Sequence, residues 1–308
     1  MDYRYRYSPN NIEGMFYTKL SKCSSSTLAG IAVQIARNEA KRRRVEKECL
    51  VRADHGIYRY VVTRPDKTRS ILWTFIREPA SRQVSDFFHF QVSRRGVTPH
   101  SDTLVKQYSL EALSITNYMT GNRFHRDEQH VNTSEAKVEY ILNAYDFIGL
   151  VERYHESLVL MKLIYNLELR DILYTSAKQS GGYDDGEYRQ KCTFIQRSNV
   201  SDTVKDWFQH STEWSDYAQE DILLYRVVDK IIDLTIDAFG RKKVQREVRI
   251  LEEALDYANE QCAHTAVYPC SGLGTPRPPH ETTCVAHDWA CAHACIEDLD
   301  LSMFKESG

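Results

Sequence analysis

The sequence predicts an α/β protein: a central parallel sheet flanked by helices, passing into a helical C-terminal half and a cysteine-rich tail. Three observations predict it. Short apolar runs at Met15–Leu20, Ile71–Ile76 and Asp146–Leu150 are each followed by apolar residues at helical spacing, the strand-then-helix alternation of a parallel sheet. From Asp202 to Ala263 helical periodicity dominates. From Pro269 the composition shifts: Gly272, Gly274, Pro276, Pro278 and Pro279 exclude regular structure, and Cys284, Cys291 and Cys295 follow Cys270 closely.

The first strand runs into a polar loop, Ser21-Lys22-Cys23-Ser24-Ser25-Ser26-Thr27, before a helix marked by Leu28, Ile31, Ala32 and Ile35. A helix N-terminus offers unpaired N–H groups and the positive end of a dipole, so it seats an anion. Four hydroxyl residues and Lys22 add donors and a full charge. The loop therefore reads as a phosphate cradle, or as a simple N-cap by Ser24 or Ser25. It is not a nucleotide-triphosphate P-loop, because no glycine lies between Gly14 and Gly30.

The first helix is expected to reach about Cys49, ending in a basic run, Lys41–Arg44. Asp54-His55-Gly56 reads as a turn and Ile57–Thr63 as a strand. The apolar run Ile71–Ile76 delivers a second polar stretch, Arg77 to Phe88. Pro79 suits the first position of a helix and keeps Glu78 out of it. Arg82, Ser85 and His89 share one face of that helix, while Val84, Phe87 and Phe88 form an apolar stripe. Arg77 with Ser85 can grip a phosphate; an Arg82–Asp86 ion pair on a surface helix is the plainer reading. Helices are expected at Thr103–Tyr118 and Glu135–Ala144, and one carrying Leu160, Leu163, Ile164 and Leu167 after the strand at Asp146–Leu150. Asp171–Tyr174 reads as a short strand and Ser180–Gly186 as a flexible loop. Helices then follow at Asp202–His210, Trp214–Phe239 with Gly240 as C-cap, and Lys243–Ala263.

The net charge of −3 gives no global basic field for nucleic acid. No apolar run is long enough to span a membrane, and the polar, aromatic start lacks the apolar core of a signal peptide; membrane attachment would need an anchor outside this sequence. Five of the eight cysteines crowd the end, which suggests disulfides and an oxidising compartment. Cys284, Cys291 and Cys295 with His287 and His293 can also be drawn as a zinc site, but not at a common zinc spacing. The sequons at Asn132 and Asn199 fit a secretory protein.

The two polar stretches, about 55 residues apart, resemble the sulfotransferases that use 3′-phosphoadenosine-5′-phosphosulfate (PAPS), most nearly the Golgi carbohydrate branch that includes heparan sulfate 2-O- and galactose 3-O-sulfotransferases. The first family motif runs Pro-Lys-Thr-x-Ser-Thr-Ser, and here Ser21, Lys22, Cys23, Ser24, Ser25, Ser26 and Thr27 stand in its place. The second runs Arg-Asp-Pro-x-x-Arg-x-x-Ser before aromatics, filled by Arg77, Glu78, Pro79, Arg82, Ser85, Phe87 and Phe88. Gly149 and Glu152 resemble a third family segment. The resemblance implies a P-loop-like sulfotransferase fold over residues 1–262, with the PAPS-binding core at about 14–240, and residues 263–308 as an extension. It implies that Lys22 acts on the transferring sulfonate, that the Cys23–Thr27 loop holds the 5′-phosphate, and that Arg77 and Ser85 hold the 3′-phosphate. Arg197 and Ser198 would belong to a covering loop. His55, in a His-Gly segment, would be the base, with His89 next in line. The implied reaction moves a sulfonyl group from PAPS to a carbohydrate hydroxyl without a metal, in the Golgi lumen or secretory pathway. Cys23 stands where the family has threonine and Ser21 where it has proline; the alternatives are a small-molecule alcohol, phenol or protein-tyrosine acceptor, a cytoplasmic location, or a nucleotide-binding pseudoenzyme.

Overall fold

The computed structural model describes residues 14–43, 50–54, 70–99, 101–120, 133–176, 180–184 and 191–304. Its main sheet has four parallel strands in the order β2-β1-β3-β4: β1 is Gly14–Thr18, β2 Leu50–Asp54, β3 Ser70–Ile76 and β4 Phe147–Leu150. Tyr17 lies opposite Trp73 and Ile76 opposite Leu150, while Thr18 lies opposite Asp54 on the other side. β1, β3 and β4 are apolar along almost their whole length because helices and loops cover both faces, and nearly every residue in them is buried. Helix α1, Ser25–Arg43, leads from β1 to β2 on one side of the sheet. The chain then returns across β1 to place β3 on the other side. The order of strands therefore reverses direction between β1 and β3. In open parallel sheets, the crevice beyond the carboxyl ends of the strands at such a reversal is where ligands bind.

Helix α2, Pro79–Asp86, starts as the sequence predicts: Pro79 occupies the first turn, and the Glu78 carboxylate accepts from the N–H groups of Ala80 (3.0 Å) and Ser81 (2.7 Å). It continues as a π-helical segment, Phe87–Arg94. Phe87, Phe88 and Val92 pack with Val105 and Val204 in a small separate core, as the apolar stripe requires. The expected Arg82–Asp86 pair is replaced. Arg82 Nη2 donates to the Leu113 carbonyl (2.7 Å), and Asp86 accepts from the Ser21 and Tyr108 hydroxyls.

Other expectations change. Helix α1 is described to Arg43, and the expected continuation to Cys49 lies outside the described residues; Leu50 begins a strand that the sequence reading did not contain. The expected helix at Thr103–Tyr118 is two, α3 (Asp102–Glu111) and α4 (Ile115–Thr120). Asp221, distant in sequence, caps the second by accepting from Ile115 N (2.8 Å) and Thr116 N (2.9 Å). Asp171–Tyr174 is not a strand. Leu169–Ile172 is a 3₁₀ turn built on the buried Asp171 carboxylate, which accepts from Glu168 N, Asn38 Nδ2 and Arg42 Nη2 at 2.8–2.9 Å. Within the expected flexible loop, Tyr183–Asp184 (β5) pairs antiparallel with Thr193–Phe194 (β6). The expected strand at Ile57–Thr63 lies outside the described residues.

Helices α5 (Ser134–Ala144) and α6 (Tyr154–Tyr165) flank β4. α7 (Asp202–His210), α8 (Thr212–Tyr217), α9 (Gln219–Phe239) and α10 (Arg241–Cys262) then make the C-terminal half helical. Gly240, at φ 90°, turns the chain between the last two. The tail closes back on this body. Cys192 pairs with Cys270, Cys262 with Cys295, and Cys284 with Cys291. The cysteines of the alternative zinc site are therefore all committed to disulfides. Ala292 and Ile296 of the final helix α11 (His293–Asp298) and its flank are buried in the main core. Three disulfides fit an oxidising, secretory or extracellular environment. Among the described residues no helix is long and apolar enough to cross a membrane.

Candidate functional site

Both polar stretches lie at the switch point, one after β1 and one after β3. The loop after β1 turns sharply into α1. Lys22 and Ser24 both adopt left-handed backbone conformations, at φ 61° and 56°. Such angles are uncommon for residues with a side chain, and they cluster where a ligand or a switch is held. The Ser24 carbonyl accepts from Leu28 N (3.1 Å), the first helical bond of α1. The N–H groups of the first turn, Ser25 to Thr27, precede it and have no partner within the helix. Ser24 is exposed, Ser25 and Thr27 are half-buried and Ser26 is buried.

Arg77 reaches this loop from the end of β3, its Nη1 donating to the Lys22 carbonyl (3.4 Å). Glu152, just beyond β4, lies 3.9 Å from Arg77 Nε and accepts from Glu78 N at 3.2 Å. A carboxylate at this edge was visible in sequence only as part of a family-like segment. Here it orients Arg77 beside the loop. Ser85 is half-buried on α2, and its neighbour Asp86 ties that helix to the loop through Ser21 Oγ (3.0 Å). Lys22, Arg77 and the Ser85 helix therefore meet at one place. Among the described residues, the Nε groups of Arg77 and of the buried Arg82 have no hydrogen-bond acceptor. A buried guanidinium N–H left unmatched is costly, and an anion would satisfy it.

Cys23 does not belong among the ligand-contacting side chains. It is fully buried beneath the loop, its thiol donates towards the Ser21 carbonyl (3.5 Å), and burial pushes its pKa up to about 12 against the lowering influence of Arg82 and Arg77. It is an inert small core residue, and only its backbone faces the loop's chemistry. Tyr17 beneath it is held far above the usual phenol range by burial, with Tyr154 and Cys23 adding to the effect.

His55 lies outside the described residues; β2 ends at Asp54, level with Thr18. His89 is engaged elsewhere: its Nε2 accepts from Arg94 Nε (3.2 Å) and lies 3.9 Å from the buried Asp184 carboxylate. Arg197 and Ser198 are exposed on a segment held near the π-helical end of the second stretch, where Gln196 N donates to Ser93 Oγ (3.0 Å). The Arg197 side chain packs across Gly181.

The tail was read as an extension, yet it touches the first stretch directly. The Lys19 ammonium sits over the Trp289 ring at 5.0 Å, and the Ala290 backbone presses on Gly30 of α1.

In comparisons with known proteins, no family model, curated protein or solved structure matches the chain.

Proposed function

We propose that the chain is a sulfotransferase of P-loop-like fold that moves a sulfonyl group from PAPS to a hydroxyl of a carbohydrate acceptor in the secretory pathway, with the Golgi lumen as its site of action. The observation that supports this reading most is topological. The sheet order brings the Ser21–Thr27 loop and the Arg77–Ser85 stretch to the same switch point, with Arg77 against the Lys22 carbonyl. The unmatched Nε–H groups of Arg77 and Arg82 suit an anionic ligand.

PAPS supplies an activated sulfonate on a good leaving group. In the proposed step, the bond from sulfur to the 5′-phosphate oxygen breaks as a bond from sulfur to the acceptor oxygen forms. 3′,5′-adenosine bisphosphate leaves, and the acceptor proton passes to His55. The first-turn N–H groups with the Ser24–Thr27 hydroxyls would hold the 5′-phosphate, and Lys22 would stabilise the charge developing on it. Arg77 and Ser85 would bind the 3′-phosphate, and Arg197 and Ser198 would close over the nucleotide. Catalysis by such a site is positioning and charge stabilisation, as in phosphoryl transfer.

Calorimetric titration with 3′,5′-adenosine bisphosphate, with AMP and ATP as controls, tests the reading. Tight binding of the bisphosphate alone is expected. No binding, or a preference for ATP, would remove the proposal.

A further inference from the structure

One cleft among the described residues lies outside the switch-point crevice. It is a cleft of about 490 Å³ bounded by the β5 hairpin, the end of α10 and the disulfide-bonded tail. That volume is ample for a disaccharide-sized ligand, since small-molecule pockets run from roughly 300 to 1,000 Å³. Its lining combines the Tyr183 and Tyr268 rings with the Asn259 amide, the Ser176 and Ser271 hydroxyls and the Asp184 carboxylate. Tyr183 stays partly exposed while its ring is fixed in place. Gly274, left-handed at φ 81°, lays its backbone against the ring so closely that a Cβ there would come within 2.5 Å, and Phe194 meets it edge-on. Cys270 forms part of the wall and is anchored through its disulfide to Cys192 beside β6.

The chemistry of this lining selects a class of ligand. A saccharide presents apolar C–H faces that lie on aromatic rings, and many hydroxyls that both donate and accept. Rings, amide and hydroxyls supply the matching set. No lysine or arginine is among the described lining residues. Asp184 is itself compensated by Arg94, whose Nη2 lies 3.1 Å away. Among the described residues nothing lining the cleft would pair with a sulfate or a uronic acid.

Its position is also informative. Asp288 lines the cleft and directly precedes Trp289, over which Lys19 sits. On the opposite side, Asp184 lies 3.9 Å from His89, on the helical segment that continues from Ser85. The cleft thus lies one residue from the tail's contact with Lys19, just before the first stretch, and touches His89, just after the second.

We infer that this tail-walled cleft binds an uncharged saccharide. Its service as the acceptor site rests on the sulfotransferase reading; the binding itself does not. The experiment uses the full, disulfide-intact chain. Saturation-transfer NMR and calorimetry are run with lactose, N-acetyllactosamine and diacetylchitobiose, against a heparin disaccharide and the dipeptide Gly-Tyr. Asn259→Ala, on an exposed helical position, and Tyr183→Ala are compared with wild type, with 3′,5′-adenosine bisphosphate titrated in parallel. At least one uncharged saccharide is expected to bind, with affinity falling at least tenfold in both variants while bisphosphate binding is unchanged. Silence from every uncharged saccharide, affinity untouched in Asn259→Ala, or equal binding of heparin disaccharide or dipeptide overturns the inference. Bisphosphate binding without saccharide binding sinks this inference alone. Saccharide binding without bisphosphate binding sinks the sulfotransferase reading and leaves the saccharide site standing.

Discussion

Gly30→Ala tests whether the tail truly seats on the first helix, because two effects of opposite sign compete there. Gly30 lies inside α1, where glycine is less favourable than alanine by about 1 kcal/mol. An exposed Gly30 would therefore make the substitution stabilising. In the structure a Cβ at Gly30 would stand 2.8 Å from the Ala290 backbone nitrogen, whereas ordinary contact begins at 3.4 Å, so the tail must retreat by about 0.6 Å. The obstacle is backbone, braced by the Cys284–Cys291 disulfide at its edge, and cannot rotate aside. Overpacking of this kind typically costs about 1–3 kcal/mol. The expected sum is a net loss of about 1 kcal/mol, read from urea unfolding under non-reducing conditions. Faster hydrogen exchange at residues 286–293 and in the first turn of α1 should accompany it. A gain of about 1 kcal/mol with unchanged exchange would refute the packing of the tail on α1.

Arg77→Ala should erase the preference for adenosine nucleotides carrying a 3′-phosphate, measured as the ratio of bisphosphate to AMP affinity; an unchanged ratio would remove Arg77 from the site. Asp171→Ala removes the acceptor shared by Arg42 and Asn38 while Arg42 keeps Glu39, and a loss of about 1–3 kcal/mol in chemical denaturation is expected. A loss below about 1 kcal/mol would show that water replaces that carboxylate. The Cys23 thiol, raised to about 12 by burial, stays protonated in the fold while the unfolded chain ionises from about pH 9. Its contribution to stability is therefore complete below pH 9 and is lost as pH rises towards 12, at about 1.4 kcal/mol per pH unit. Wild type should lose stability more steeply than Cys23→Ala between pH 9 and 10.5; parallel curves would mean that the thiol is solvated.

β1, β3 and β4 were legible in the sequence because strands buried on both faces must be apolar throughout, and Met15–Tyr17, Ile71–Ile76 and Phe147–Leu150 are. β2 was not, because a five-residue edge strand carrying Arg52 and Asp54 has too little pattern to separate it from the helix before it. The start of α2 was readable from Pro79, a local rule. The break between α3 and α4 depends on Asp221, which no local pattern contains. At the site, Lys22 and Arg77 could be named from sequence, but not their contact, nor the left-handed turns at Lys22 and Ser24, which normally announce themselves as glycines. Cys23 was ambiguous between buried and exposed because a loop residue's inward or outward direction has no periodicity to reveal it. The tail-walled cleft is assembled from five separate stretches of chain and left no signature in the sequence.

The seating of Ala290 on Gly30 also bears on the order in which the protein can be completed during synthesis. The strand and helix that carry the Ser21–Thr27 loop emerge from the ribosome about 260 residues before the backbone that braces that helix. Until then α1 must wait with its glycine face uncovered, and Lys19 without its aromatic platform. The nascent chain can lay down its central strands early, but the loop reaches its final support only once Ala290 has emerged. A chain truncated before Trp289 would keep every residue of the two polar stretches and still lack the brace behind the first.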